Sequence, residues 1–525
     1  MRHVVLSGFM GSGKSSVGRA LAARLGRPFV DTDAEIAKHA ARPTAGDVFA
    51  EHGEPRFREI EAQIATAALA RAEPHVIAFG GGTVTARAVR WAALDRATLV
   101  TLDVPVETSL ARVASSEHRP NLAVRDPGGR AAHLLSERRA AYAECHARVD
   151  GTAPVEEIVR HVEQIAGKAL ECVPLGERTY VVEIAPAGHG EVVSETIARL
   201  GASSRVIVTD KNVHNARFLS LPAEVRDGAS EVVLEPGEHE KTIAAVERIW
   251  DAALTAGIDR RGVVVAFGGG VVGDLAGFAA ATLLRGVRFV QIPTTLLAMV
   301  DASVGGKTGF DRAAGKNLVG AFHQPSGVVI DVAHLETLDA RQRAAGLAEV
   351  VKIGLADDAA LLDDVERLAE PLARGDHDAL AEIVRRAVAA KVRVVRDDET
   401  ERGRRAILNL GHTVGHALEA HQGYRGLLHG EAVAVGTVLE LAAFADMGLG
   451  DAALARRAAD VLRALGLPTE ARAAEVEAAW TYASSDKKRS GARVAVPVVR
   501  EVGRSEMVHV DLAELGRAVA RGATR

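Results

Sequence analysis

Cysteine is nearly missing from this sequence. Only Cys145 and Cys172 occur in 525 residues, too few for a disulfide framework, and the pair fits a reducing, cytoplasmic setting. Aromatic residues are scarce as well, at 4%, so Ala, Val and Leu must fill the core. A large excess of one charge is also lacking. The net charge of -5 and pI near 6.5 give no general drive toward nucleic acid or an anionic membrane. Basic residues that matter must then be gathered in sites. No uninterrupted apolar run reaches membrane length: Gly262 to Leu284 comes nearest, but a triple glycine and Asp274 stand in its middle, which predicts strand, loop and helix instead. Met1 to Leu6 has one arginine and no small-residue cleavage site, so it is not read as a signal peptide. There is no fixed-period repeat. Small molecules are the expected partners, with no nucleic acid and no membrane.

What is present is globular. Apolar residues make up 48% and charged residues 25%, and at ~100 to 200 residues per domain the length suggests three or four compact units. The first stretch alternates β-branched runs (His3 to Leu6, Val76 to Phe79, Leu99 to Leu102) with helical patterns such as Ser15 to Leu25, the signature of a parallel sheet with helices on both faces. A charged amphipathic helix is expected over Val155 to Ala169. Beyond it a second α/β region begins at Thr179 to Ile184, and from about Leu335 Ala-rich helices of period near 3.6 take over. The fold class is therefore α/β. Its expected domains are a P-loop domain over 1–168, a dinucleotide-binding α/β half over 173–335, and an all-helical half over 336–525.

Gly8-Phe9-Met10-Gly11-Ser12-Gly13-Lys14-Ser15 follows a strand and opens a helix. In that context glycines let backbone N–H groups surround phosphates, Lys14 reaches the terminal phosphates, and the Ser15 hydroxyl can hold magnesium. Asp31-Thr32-Asp33 emerges at a second strand end, Arg58 lies near a helix start, and Gly80-Gly81-Gly82 follows another strand. Arg119-Pro120-Asn121 falls in a Pro/Gly-rich stretch suited to a lid. By these strings, residues 1–149 resemble shikimate kinase. The resemblance implies transfer of the ATP γ-phosphoryl group to the 3-hydroxyl of shikimate. ATP would be bound by Gly11, Ser12, Gly13, Lys14, Ser15, Ser16 and Arg119, with Ser15 on magnesium. Asp33 would orient or deprotonate the hydroxyl, Arg58 and Arg138 would grip the carboxylate, and Gly80, Gly81 and Gly82 would meet the ring hydroxyls. Lys14 and Arg119 would stabilise charge on the phosphates. Ser16 stands where that family usually has Thr, and the lid has Asn121 in place of Leu.

In the second region Val263 to Phe267 runs into Gly268-Gly269-Gly270-Val271-Val272-Gly273-Asp274, a strand feeding a glycine loop that opens a helix. Lys307 and Lys316 lie in glycine-rich loops where they can converge on an anion. Glu349 and Lys352 share one predicted helix face, and His412 and His416 share another, with His429 opening the next helix. One carboxylate plus imidazoles from separate helices suits zinc or a similar ion with open positions for substrate.

These strings, with Pro293-Thr294-Thr295 to Thr308, Gly315 to Pro325 and Asn409 to Glu419, resemble 3-dehydroquinate synthase from Val173 onward. The resemblance implies conversion of 3-deoxy-D-arabino-heptulosonate 7-phosphate to 3-dehydroquinate and phosphate, with NAD reduced and reoxidised within one turnover. It places zinc or cobalt on Glu349, His412 and His429. It places NAD against Asp210, Asn212, Glu238, Lys241, Gly269, Gly270, Asp274, Thr294, Thr295, Lys316 and Thr337. Substrate would meet Arg285, Asp301, Lys307, Lys316, Asn317, Lys352, Arg405, Asn409, His416 and one lysine of Asp486-Lys487-Lys488, with Lys487 favoured. Lys307, Lys352 and His416 would be catalytic, and a homodimer through this part is the family expectation. Two other readings stay open: a related sugar-phosphate cyclase or metal-dependent polyol dehydrogenase, and a P-loop module acting as a regulatory switch on a degenerate enzyme.

Overall fold

A computed structural model describes residues 2–113, 126–185, 188, 190–312, 315–483, 489–490 and 493–523. Its contacts divide the chain into two compact units, Met1–Val181 and Val182–Arg525.

The first unit is built on a parallel sheet of β1 (His3–Ser7), β2 (Phe29–Asp31), β3 (Val76–Ala78), β4 (Ala97–Asp103) and β5 (Ala147–Asp150), in the order β2-β3-β1-β4-β5. All four pairings are parallel. β1 and β3 are buried at every position, as strands covered by helices on both faces must be. This order sets the C-terminal ends of β2, β3 and β1 side by side. Asp31 to Asp33, Gly80 to Gly82 and the Gly8 to Ser15 loop are thereby delivered to one edge of the sheet.

His146 is buried in this core, where its Nδ1 accepts the Leu99 N–H at 3.0 Å. Burial pushes its pKa down to about 3, helped by the nearby Arg2 cation. Between that value and 6.5 the unfolded chain binds a proton that the folded unit refuses, so stability is full above 6.5 and falls on acidification. The expected slope is up to about 1.4 kcal/mol per pH unit from this one group. Urea midpoints of the first unit's transition at pH 6.5 and 5 check it: the shift should shrink in His146→Asn, which keeps an acceptor but does not titrate.

The amphipathic helix ends at Ala166 against Gly167, short of the expected Ala169, and the chain then forms a strand, β6 (Ala169–Val173), that was not expected. Leu170 and Cys172 of β6 join the apolar clusters of the first unit. That unit accordingly runs to Val181 rather than ending at residue 168.

The second unit begins within β7 (Tyr180–Ala185) and holds β8 (Arg205–Asp210), β9 (Ser230–Leu234), β10 (Val263–Gly268), β11 (Arg288–Pro293), an antiparallel pair β12 (Lys307–Arg312) and β13 (Gly315–Phe322), and β14 (Val328–Asp331). Parallel strands run β7-β14-β11-β10-β8-β9. Gly262 to Leu284 is strand, loop and helix as expected, with the helix at Gly270–Thr282. Helices dominate afterwards, and that at Ala340–Ala356 is buried without a break from Ala345 to Ala356. One feature departs from an all-helical half. β15 (Arg489–Ser490), β16 (Arg493–Glu501) and β17 (Arg504–Asp511) form a small antiparallel sheet. Val494, Val496 and Val498 alternate inward along β16, a period of two too short to stand out beside long Ala-rich helices.

Two candidate active sites

In the first unit the phosphate loop is set by backbone conformation. Gly11 and Gly13 have φ of 73° and 91°, values that side chains disfavour and that turn successive N–H groups to one side. Lys14 Nζ lies over the loop, donating to the carbonyls of Gly8 (2.8 Å) and Phe9 (2.9 Å). Ser15 Oγ donates to Asp31 Oδ2 at 2.6 Å, and Asp31 Oδ1 caps the next helix through the Asp33 N–H. That cap fixes Asp33 in the first helical turn. Ser12 is buried, and Ser16 is exposed on the helix that follows.

The glycines of β3's loop are demanded by what lies against them. A Cβ on Gly80 would sit 2.5 Å from Asp33 Oδ1, and one on Gly82 would collide with the Arg58 guanidinium. Arg58 reaches this point because the helix Ala45–Leu69 is broken at Gly53 (φ 72°, ψ 169°) and restarts at Pro55. Glu61 Oε2 (2.7 Å) and Glu54 Oε1 (3.1 Å) hold its guanidinium. Burial works against the Arg58 charge, but Glu61 and Glu54 outweigh it and raise its pKa. Arg138, almost fully buried, donates to Gly81 O at 3.1 Å, beside Tyr142 Oη on the same oxygen. Asp33, Arg58, Arg138 and Gly80 to Gly82 thus surround one small polar space at the end of the sheet. Arg119 lies outside the described residues.

In the second unit Glu349, His412 and His429 come from three helices. Their ligand atoms all lie within 4.8 Å of one another, with Glu349 Oε1 3.6 Å from His429 Nε2 and 3.9 Å from His412 Nε2. Glu349 is 0% exposed and its Oε1 accepts no hydrogen bond, while Oε2 meets the Lys352 ammonium. A buried carboxylate oxygen facing two imidazoles and no donor fits a divalent cation of zinc type. The far sides of the rings agree: Nδ1 of His412 faces Leu410 O at 3.2 Å and Nδ1 of His429 faces Glu419 Oε2 at 3.1 Å. Protons held on both Nδ1 atoms would leave both Nε2 atoms as ligands.

Glu419 was not among the expected site residues. It is 2% exposed, and its other oxygen accepts from Lys316 at 3.0 Å. Burial pushes its carboxyl up, yet His429 and Lys316 prevail and hold it below the usual range. Glu419→Gln should weaken zinc binding by about 10- to 100-fold, the usual effect of removing an outer partner of a metal-bound imidazole. Competition with a chromogenic chelator measures it; unchanged affinity would refute it.

Around the triad the cations are matched to carboxylates. Lys307 pairs with Glu401, which also accepts from Asn409 Nδ2 at 2.5 Å. Lys391 pairs with Asp301. Burial lowers the Lys391 pKa to about 8 despite that partner, and it lowers that of Lys307 as well. Arg405 is 1% exposed and spans Gly305 O (3.0 Å) and Glu399 O (2.6 Å). His416 is exposed, with its ring centroid 5.1 Å from that of His412. Lys391 and Glu401 are further residues the sequence reading missed. Lys391 had a visible signal, since it falls on the apolar stripe of Val384, Ala387, Val388 and Val395, where a lysine needs a buried partner.

The nucleotide-side residues also converge. Lys241 Nζ bonds Asp274 Oδ2 and Asn317 Oδ1, both at 2.6 Å, and Lys316 lies 3.2 Å from Glu238. Gly269 caps the helix that Gly270 opens, with Thr295 against it. Asp210 caps the helix Lys211–Arg217 through the Asn212 and Val213 N–H groups, and Arg217 of that helix reaches Thr337. Thr294 is buried at the end of β11. Arg285 is exposed on a turn at φ 67°, and none of the described contacts joins it to the cluster. Lys487 lies outside the described residues.

Residues 231–345 match the family described as 3-dehydroquinate synthase N-terminal and 346–489 its C-terminal counterpart. The 3-dehydroquinate synthase of Rhodospirillum rubrum is 47% identical over 344 residues, covering 63% of this chain and 89% of that protein. The chain belongs to the 3-dehydroquinate synthase family. A second 3-dehydroquinate synthase, from Ruegeria pomeroyi, is 50% identical over 303 residues, 57% of this chain and 82% of its own length. Among solved structures, a 2-epi-5-epi-valiolone synthase from Streptomyces hygroscopicus with NAD+ and Zn2+ bound is 30% identical with a TM-score of 0.59, covering 65% of this chain and 96% of that one. Ahead of the 3-dehydroquinate synthase part, residues 10–173 match the shikimate kinase family. The polypeptide is a bifunctional enzyme of the shikimate pathway, with a shikimate kinase domain fused in front of a 3-dehydroquinate synthase domain.

Proposed function

We propose that the pocket of Asp33, Arg58, Arg138 and Gly80 to Gly82 binds shikimate beside ATP on the Gly8 to Ser15 loop. Arg58 and Arg138 pair with the carboxylate, and Asp33 accepts the proton of the attacking hydroxyl. Lys14 and Arg119 neutralise charge on the phosphates, and Ser15 holds magnesium. Phosphoryl transfer asks for this kind of positioning and cationic support more than for covalent chemistry. The close approach of Asp33 Oδ1 to Gly80 carries the assignment.

The second site binds the heptulosonate 7-phosphate among Lys307, Lys316, Lys352, Arg405, Asn409 and His416, with Lys391 and Glu401 behind them. Bound zinc or cobalt would supply Lewis acidity to a substrate hydroxyl, and NAD a hydride acceptor restored within the turnover. Lys241, Glu238, Asp274 and the Gly269–Gly270 turn hold the nucleotide. Lys307, Lys352 and Arg405 orient the anionic ends, and His416, exposed beside the triad, moves protons at the substrate oxygens. The meeting of Glu349, His412 and His429 on one point carries this reading.

Purified protein should consume ATP only with shikimate, and should release phosphate from the heptulosonate phosphate with no build-up of NADH. Net NADH formation would instead mark a dehydrogenase.

A homodimer through the synthase unit belongs to the same proposal. It is supported by Leu318, Val319 and Phe322, exposed at 37%, 39% and 46% along β13; sedimentation at the monomer mass would refute it. Both cysteines are buried and free, and among the described residues no helix is long and apolar enough to cross a membrane. Both facts accord with a cytoplasmic enzyme.

A further inference from the structure

Glu144 follows the helix Pro127–Ala143 and is 8% exposed. Its two oxygens serve different parts of the first unit. Oε2 accepts from Arg90 Nε at 2.6 Å, and Oε1 accepts from the Gly176 N–H at 3.0 Å.

Arg90 is as buried as Glu144, and it donates to Val84 O and, at 3.5 Å, to Thr85 O. Those carbonyls belong to the turn that continues Gly80 to Gly82, and Gly82 O accepts from both the N–H (2.9 Å) and the Oγ1 (2.6 Å) of Thr85. Arg90 therefore clamps the loop on which the glycine cradle is built.

Gly176 lies at the other end of the bridge, in the chain that leaves the kinase fold. It adopts φ 62° in a turn closed by Thr179 Oγ1 on Gly176 O at 2.6 Å. The preceding β6 is fastened as well: Arg2 donates to Leu170 O (3.2 Å) and Glu171 Oε1 (2.5 Å), and Cys172 is packed in the core. Residues 169–177 thus follow the kinase fold as a strap held at several points.

We propose that Glu144 is a positioning residue for the shikimate cradle, holding Arg90 against the Gly80 to Thr85 turn and locking that support to the departing strap at Gly176. The inference rests on the reading of Gly80 to Gly82, Arg58 and Arg138 as the shikimate site. Both partners of Glu144 are donors, so its carboxylate serves them together. A carboxamide has one acceptor oxygen, and Glu144→Gln must give up one link while keeping the side chain's size. Glu144→Ala gives up both and leaves a buried guanidinium without its charge partner.

The test uses the full chain, with shikimate and ATP varied separately and a fluorescent ADP analogue titrated onto the phosphate loop. In Glu144→Gln the KM for shikimate should rise by ~10-fold, in line with a lost charge-assisted hydrogen bond, and rise further in Glu144→Ala. The KM for ATP and the affinity for the ADP analogue should stay within about twofold of wild type, and Glu144→Asp, which keeps two acceptors, should recover most of the loss. An unchanged KM for shikimate would overturn the proposal. Equal loss of ADP-analogue binding would overturn it too, since Glu144 would then only hold the fold together. Wild-type protein without shikimate-dependent ATP turnover would sink the kinase-site reading itself, before any variant is compared.

Discussion

Replacing Glu349 by Gln should cut the 3-dehydroquinate synthase turnover by about a thousandfold or more and leave shikimate phosphorylation by the same polypeptide unchanged. Lewis acidity is worth several kcal/mol to such a reaction, and each 1.36 kcal/mol is a factor of ten in rate. Gln keeps the shape of the side chain but removes the charge that faces His412 and His429 at the centre of the triad. It also removes the partner of Lys352, which is 1% exposed, so the variant will lose stability in the second unit. Metal content by atomic absorption separates the two effects: a folded, metal-free protein with an intact kinase is the expected result. Retention of stoichiometric zinc with full synthase rate would exclude Glu349 as a ligand.

Asp33→Asn is the counterpart in the first unit. Its shikimate kinase kcat should fall by about 10²- to 10⁴-fold, the range ascribed to a positioned general base, and the synthase rate should not move. The carboxamide still fits beside Gly80, and the Asp31 cap that fixes the backbone is untouched. The KM for ATP should hold, because the phosphate loop lies outside the change. A fall in ATP affinity as large as the fall in kcat would point to a collapsed loop.

The phosphate loop and the two histidine-bearing helices were legible because each needs a local pattern. Gly11 and Gly13 must take positive φ, and His412 and His416 stand one helical turn apart. Residues whose purpose appears only after long-range packing were hidden. Glu419 was given no role from sequence, yet it joins His429 to Lys316 across 10 and 103 positions of sequence. Lys391 pairs with Asp301 at a separation of 90, and only its place on an apolar stripe betrayed it. The boundary of the first unit was missed for a related reason. The helix stops at Ala166 rather than at the expected Ala169, and nothing local says that Leu170 and Cys172 return to the core just left.

Five described lysines of the synthase site are each already matched by a carboxylate: Lys241 by Asp274, Lys307 by Glu401, Lys316 by Glu419, Lys352 by Glu349 and Lys391 by Asp301. An arriving anion therefore finds no lone ammonium among these five and must compete with a carboxylate for each lysine it contacts. Capture becomes a trade of partners, in which the phosphate and carboxylate of the guest replace some of those acids on the lysines.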